Sequence, residues 1–455
     1  MRSFFFAILI LVLTACGTPS ANQPTSVPPT SVPPTSVPPT SVPPTSVPPT
    51  SVPPTSVPPT SVPPTSVPSP TSVTSLTPPM AQVPTGLPAE ILFLRNQNLE
   101  ALDPATGRLR TLAPDVSTFA ATADGRKLAL VRNGSLWLIE RDGTGLRQLA
   151  TATGVSGSPT WAPDGLSLAY TISPVAASGR PDWFSWSSWC VQAEVRLLDL
   201  VGATPTEVRL GVGCEPQFSP DGRRIAFTAP PTSAAPGTDQ LNATNSIRIV
   251  NRQGANGWDV AQSAGGPLEN SILVYSPAWS PDGQQLAYQR FVGYQVLVDI
   301  NLTEASSAFA RRPTPLDSGA GWLLTPQYAP DGNRLAVTEH NYSDARGFGG
   351  YDAWRTTVLQ LGTASEQQLP SATLTMQAER LDQLQGTTAA VWSPDGKTLA
   401  VALPQGWRAG TNPFEPAFPE LGPGELWLWV PGTIPTVRLA EGLDLASPLI
   451  WLPAE

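Results

Sequence analysis

Histidine is almost missing from this chain, which has one, His340. A Ser-His-Asp apparatus would have to use it, and no Gly-x-Ser-x-Gly elbow accompanies it. Cysteine is nearly as scarce, with Cys16, Cys190 and Cys214 only. No Cys-x-x-Cys, Cys-x-x-Cys-His or His-Glu-x-x-His spacing occurs, so zinc and haem sites lack ligands and no cofactor is expected. Charged residues make up 13% and the net charge is −9. That excludes the basic footprint of a nucleic-acid binder. The apolar run Phe4–Leu13 is too short for a spanning helix and reads as a secretion signal.

What the chain has is one phrase, six times. It is Thr-Ala-Asp-Gly at Asp124, Ala-Pro-Asp-Gly at Asp164 and Asp331, and Ser-Pro-Asp-Gly at Asp221, Asp282 and Asp395. Four positions after each Asp is an apolar residue, and then an Ala: Ala129, Ala169, Ala226, Ala287, Ala336 and Ala400. Three positions before the Asp, five copies carry an aromatic: Trp161, Phe218, Trp279, Tyr328 and Trp392. Self-similarity at this period means a repeat architecture. Asp-Gly between apolar runs predicts a hairpin, because Gly tolerates the positive φ of the turn. Two further strands follow in most units, such as Val195–Asp199 and Glu207–Leu210. Four antiparallel strands per unit make an all-β propeller.

The unit resembles the WD40-like PD40 repeat of TolB-family propellers and of the propeller domains of prolyl-oligopeptidase-type enzymes. The resemblance covers roughly residues 90–455 and implies the fold rather than an activity. The region that would hold a hydrolase domain in the peptidases is missing. Residues 90–113 supply about three strands without the turn, and Ser447–Trp451 supplies one more. Together they predict a composite blade closing the ring, for seven in all, with six or eight still open.

Leu13-Thr14-Ala15-Cys16 resembles the bacterial lipobox. That implies a signal peptide over residues 1–15 and a diacylglycerol on Cys16. The alternative is an ordinary signal peptide with an incidental Cys. Ser-Val-Pro-Pro-Thr then repeats eight times from Ser26 to Thr65. Proline at this density favours extended polyproline II. Residues 16–88 are read as a stalk, glycosylated or plain, and 89–455 as the propeller. The location is the cell envelope, outside the cytoplasm, with the membrane as one partner through the lipid.

The order of strands puts the second-to-third-strand loops and the blade-to-blade crossings on one face, where inner strands begin. Cys190 and Cys214 both fall there, about one blade apart, and an exported chain keeps disulfides. A Cys190–Cys214 bridge is expected. Long insertions at 173–189, 229–245, 339–353 and 402–424 fall on the same face. They carry Trp183, Phe184, Trp186, Trp189, Tyr342, Tyr351 and Trp407, which suit sugar stacking or peptide capture. Arg180, Asp182 and Asp352 could orient a ligand. The other reading of these rings is that they cap the propeller. Trp161, Trp279 and Trp392 are expected to face neighbouring blades, and His340 to lie in a surface loop.

The repeated Asp residues read as structural turns, since one Asp per hairpin cannot supply six calcium oxygens. They also depart from the sialidase Asp-box. Two function classes stay in view. One is a non-catalytic binding or scaffold module for an envelope protein, polysaccharide or peptidoglycan. The other is a glycan hydrolase or lyase using carboxylates that converge from different blades.

Overall fold

The computed structural model describes residues 90–453 except 150–153, 175–182, 203, 231–245, 263–271, 293–296, 306–313, 321, 324–325, 343–351, 363–377 and 409–422. Cys16, the stalk, Tyr351 and most of the long insertions lie outside the described residues. All described residues belong to the unit Ser75–Glu455.

The repeated phrase builds one turn six times. The Gly N–H donates to the carbonyl two residues before the Asp, at 2.8–2.9 Å. Only the Gly is left-handed, with φ between 66 and 73°. The Asp is therefore the third residue of a four-residue turn with Pro second and Gly fourth, the preferences of a type I turn. This corrects the simpler two-residue Asp-Gly hairpin.

Four copies place a hydroxyl two residues before the Asp: Thr122, Ser219, Ser280 and Ser393. Each hydroxyl donates to the Asp Oδ1 at 2.5–2.6 Å. It also accepts the backbone N–H five residues on, at 2.9–3.1 Å. These hydroxyls hold Asp124, Asp221 and Asp395 below the ordinary carboxylate pKa. The two copies with Ala in that place recruit a guanidinium instead. Arg252 reaches Asp164 Oδ2 at 2.6 Å and Arg334 reaches Asp331 Oδ2 at 2.7 Å.

Around these turns run six blades of continuous chain. The first is β4 (Val116–Ala121), β5 (Lys127–Arg132), β6 (Ser135–Glu140) and β7 (Arg147–Gln148). The second is β8 (Val155–Trp161), β9 (Ser167–Ile172), β10 (Glu194–Asp199) and β11 (Thr206–Val212), with helix α1 (Trp183–Cys190) between β9 and β10. The third is β12 (Cys214–Phe218), β13 (Arg224–Ala229), β14 (Ser246–Asn251) and β15 (Trp258–Gln262). The fourth is β16 (Ile272–Trp279), β17 (Gln285–Val292), β18 (Leu297–Glu304) and β19 (Thr314–Ala320). In the fifth the inner strand breaks into β20 (Trp322–Leu323) and β21 (Gln327–Tyr328), followed by β22 (Arg334–Tyr342), β23 (Asp352–Leu361) and β24 (Ala378–Gln385). The sixth is β25 (Ala389–Trp392), β26 (Leu399–Pro404), β27 (Pro423–Trp429) and β28 (Val437–Asp444).

A further sheet joins the two ends of the domain. It orders β29 (Ile450–Trp451), β1 (Ile91–Arg95), β2 (Asn98–Leu102) and β3 (Leu109–Ala113). Ile91 pairs with Trp451 and Leu92 with Ile450. This is the expected closure, reached with two residues of strand rather than five. Trp451-Leu452-Pro453 also repeats the aromatic-x-Pro start of the turn phrase, a match missed above. Pro453 takes the place of the phrase's proline: a Cβ on Gly125 would lie 2.9 Å from its Cδ. The β1–β2 turn uses Asn96 and Gln97, both at positive φ without a glycine. The Asp444 carboxylate from blade six receives both of their N–H groups at 3.0 Å.

The core lies between blades. The apolar residue and the Ala after every turn are buried, with all six Ala at 1% exposure or less. Trp161 packs into blade one's cluster with Ala129 and Val131. Its Nε1 donates to Ala120 O at 3.3 Å, Trp279 to Gln217 O at 3.0 Å and Trp392 to Gln327 O at 3.1 Å. Each acceptor lies four residues before the Asp of the preceding blade. The expectation that these rings face neighbouring blades holds.

Some boundaries move. His340 lies within β22, paired with Trp354, rather than in a loop. The third long insertion shrinks to 343–351 because β22 and β23 extend to Tyr342 and Asp352. Between β17 and β18, Val292 pairs with Leu297.

Closure by β29 generates a prediction. Trp451 is 7% exposed in a cluster with Ile91, Phe93 and Leu428. Trp451→Ala should lower unfolding stability by about 3–5 kcal/mol, read from urea denaturation. A loss below about 1 kcal/mol would mean that the closing strand is dispensable.

Candidate functional site

A helix, a disulfide and a carboxylate bonded across blades gather at one end of blades two to four. The second blade's insertion is not the aromatic loop expected. Residues Trp183–Cys190 form α1. Trp183, Trp186, Trp189 and Cys190 fall at spacings of three and four, the period of one helix face. That spacing was visible in the sequence and marks a packed stripe. The last helical bond is Val191 N to Ser187 O at 3.0 Å, and tighter bonds from Gln192 and Ala193 end the helix. The Gln192 side-chain amide caps the Ser188 carbonyl at 2.7 Å.

The disulfide is present. Cys190 and Cys214 are bridged with their Cα atoms 5.3 Å apart. Both are fully buried and form a cluster with Trp189, against which Trp186 packs. The bridge ties the end of α1, from blade two, to the first residue of blade three's inner strand. Trp189 at 7% exposure is core and not a ligand-facing ring, which corrects its expected role. Trp186 is half-buried, its ring 5.2 Å from that of Tyr275 on blade four. So α1, an insertion of blade two, reaches the inner strands of blades three and four.

Beside this cap, β12 and β16 bulge, as the inner strands β4 and β8 also do before their turns. The register shifts between Cys214 and Gln217 in β12, and between Tyr275 and Ala278 in β16. Glu215 and Ser276 sit in the bulges at φ 56 and 53°. A left-handed non-glycine residue costs on the order of 1–3 kcal/mol, and such strain persists only where surroundings fix it. Here each fixes the other. Glu215 Oε2 accepts the Ser276 N–H at 2.9 Å, the Ser276 hydroxyl at 3.2 Å and the Thr228 hydroxyl at 3.2 Å. The Glu215 residue keeps some exposed surface, while its carboxylate is enclosed by protein. That burial pushes its pKa above the ordinary glutamate range, against the bonds from Ser276 and Thr228. Glu215 is not marked by any motif, because a bulge that turns a carboxylate onto the next blade is a tertiary feature.

The remaining expected rings part company. Tyr342 ends β22, and Trp183 and Phe184 open α1; their side chains lie outside the described set. Trp407 is not part of the α1 neighbourhood. It follows β26 and packs edge-on against Trp427 at 5.7 Å. Its Nε1 donates to Gln385 O at 3.1 Å.

No family model matches the chain. The curated "Protein TolB homolog" of Chlorobium luteolum is 28% identical over 153 residues, which is 33% of this chain and 27% of that relative. The chain resembles TolB-like propeller proteins. Among solved structures, the putative TolB from Agrobacterium tumefaciens is 17% identical at a TM-score of 0.40, covering 68% of this chain and 96% of that one. An oligogalacturonate lyase in complex with manganese is 15% identical at a TM-score of 0.47, covering 73% and 82%. The sequence match spans about a quarter of the TolB homologue's own length, so it speaks to the repeat and not to a whole-protein activity.

Two predictions follow from the cap. Removing the bridge with Cys190→Ala and Cys214→Ala should cost about 3 kcal/mol of unfolding stability by the loop-entropy relation. The second concerns pH. Glu215 has a raised folded-state pKa, so its contribution is full below the unfolded value and lost as pH rises through the folded one. Glu215→Gln removes that titration. Between about pH 4 and 8, the variant's unfolding midpoint should gain on the wild type's as pH rises. A pH-independent difference would contradict this.

Proposed function

We propose that this chain is an envelope-located, non-catalytic binding or scaffold module. The lipidated Cys16 and the Ser-Val-Pro-Pro-Thr stalk would hold it at a membrane, and the α1 end of blades two to four would engage an envelope protein or polymer. One observation carries this: an aromatic helix is pinned by a disulfide across blades that otherwise repeat one another. A rigid platform holding rings in place lowers the entropic cost of binding. The similarity to TolB homologues and the export signal support the envelope location. Trp183, Phe184 and Trp186 are the proposed contacts, with Tyr342 and Tyr351 around them, and Trp189 supports them from the core.

Glycan cleavage is the second reading. Glu215 is the carboxylate on which it would rest, since its pKa is raised. Its oxygens are already engaged by Ser276 and Thr228, which favours a binding role. Product release from a glycan panel that disappears in Glu215→Gln would overturn the non-catalytic reading.

Two measurements test the main one. Cys16→Ala should move the protein from the membrane fraction to the soluble one, and equal partitioning would refute the anchor. In pull-downs from native envelopes, the Trp183→Ala, Phe184→Ala double variant should keep its melting temperature. Its capture of the partner should fall at least tenfold, about 1.4 kcal/mol.

A further inference from the structure

Blades five and six enclose a cleft of about 350 Å³. It runs from the end of β24, at Asp382–Gln385, past Trp407 and Arg408, to the β27–β28 turn at Gly432–Pro435. We propose that this cleft is a saccharide-binding site for a neutral ligand of about disaccharide size. It is separate from the α1 face and does not depend on the role proposed for that face.

The first observation is a fixed aromatic ring. The Trp407 indole is held by its bond to Gln385 O, by its edge contact with Trp427 and by Gly386 beneath it. A Cβ on Gly386 would lie 3.1 Å from the indole Cδ1. A ring held this way gives the apolar face of a sugar a surface at little entropic cost.

The second observation concerns the strand edge. β24 is the outer strand of its blade, and an open edge would invite an extended peptide. Along the cleft that edge is capped from within. Asp382 Oδ1 takes the Gln383 N–H at 2.8 Å, and Trp407 takes the Gln385 carbonyl. Two of the backbone groups a peptide would use there are therefore occupied, which favours recognition by side chains.

Those side chains have the chemistry of hydroxyl recognition. Each Asp382 oxygen accepts one backbone N–H, from Gln383 and from Gly432, and keeps a second lone pair. The Thr433 hydroxyl donates to Val430 O and can still accept. Gln385 adds an amide and Arg408 a guanidinium. One carboxylate against one guanidinium gives no net preference for a charged ligand. The volume lies at the small end of ligand pockets. Leu381 and Ile434, among the few large apolar residues exposed on the described surface, stand near its rim at 47% and 61% exposure.

The test titrates the full-length protein calorimetrically with cellobiose, maltose and chitobiose, and separately with a short proline-rich peptide. At least one disaccharide should bind, and Trp407→Ala and Arg408→Ala should each weaken it at least tenfold. Trp183→Ala should leave it unchanged, which separates this site from the α1 face. Arg408 is exposed, so its variant decides if Trp407→Ala does not fold. The proposal is overturned if no disaccharide binds, if binding survives both cleft variants, or if only the peptide binds.

Discussion

Every blade of this ring is completed by its neighbour. A four-stranded antiparallel sheet with both faces apolar cannot stand in water alone. Here the faces meet through a repeated contact: an inner-strand aromatic lies against the preceding blade, and for Trp161, Trp279 and Trp392 the ring N–H bonds a carbonyl there. The small Ala after each turn lets sheets approach, and the turn proline of one blade lies against the turn glycine of the next. Bulk at that Ala, or a Cβ at that glycine, would push blades apart all round the ring. The requirement extends to the ends of the domain, where Trp451-Leu452-Pro453 supplies the aromatic and the proline against Gly125.

That constraint explains what was legible in the sequence. The repeated positions are those where blade meets blade, so their chemistry is visible as a pattern. The strand pairs, the place of the turns, the composite sheet and the packing of Trp161, Trp279 and Trp392 against neighbouring blades could all be read from it. The Cys190–Cys214 bridge was legible for a related reason, since strand order alone puts Cys190, before a third strand, and Cys214, in the next blade crossing, on the same face. What resisted reading lies off the repeat. The Trp183–Cys190 segment reads as a loop because insertions between second and third strands carry no repeat pattern. Its three-residue tryptophan spacing was the signal of a helix. Trp407 was assigned to the wrong neighbourhood because a loop's starting face does not say which way its side chains fold.

The turn itself shows how a repeat tolerates change. Four copies use a Ser or Thr hydroxyl to hold the Asp, and two have only Ala there. In those two the Asp gains an arginine, Arg252 from the next blade or Arg334 from its own. The carboxylate therefore stays partnered when the hydroxyl is lost, since an Asp facing backbone N–H groups with no further donor would hold the turn less firmly. Conservation of a role by different residues also means that the Asp-Gly motif alone understates the inter-blade bonding.

Strain sits at one position of the repeat, six residues before the Asp of blades three and four. Most positive-φ non-glycine residues occupy turns, where isolated left-handed residues are ordinary. Glu215 and Ser276 instead lie inside inner strands of adjacent blades, beside the disulfide-tied α1. Here two strained residues bond to each other across the blade boundary, and a buried carboxylate has its pKa raised in the process. The bond network compensates part of the strain but not the cost of burying the charge. That uncompensated cost, next to a helix fixed across three blades, sets this end of the propeller apart from the regular turns at the other and directs the search for a partner to it.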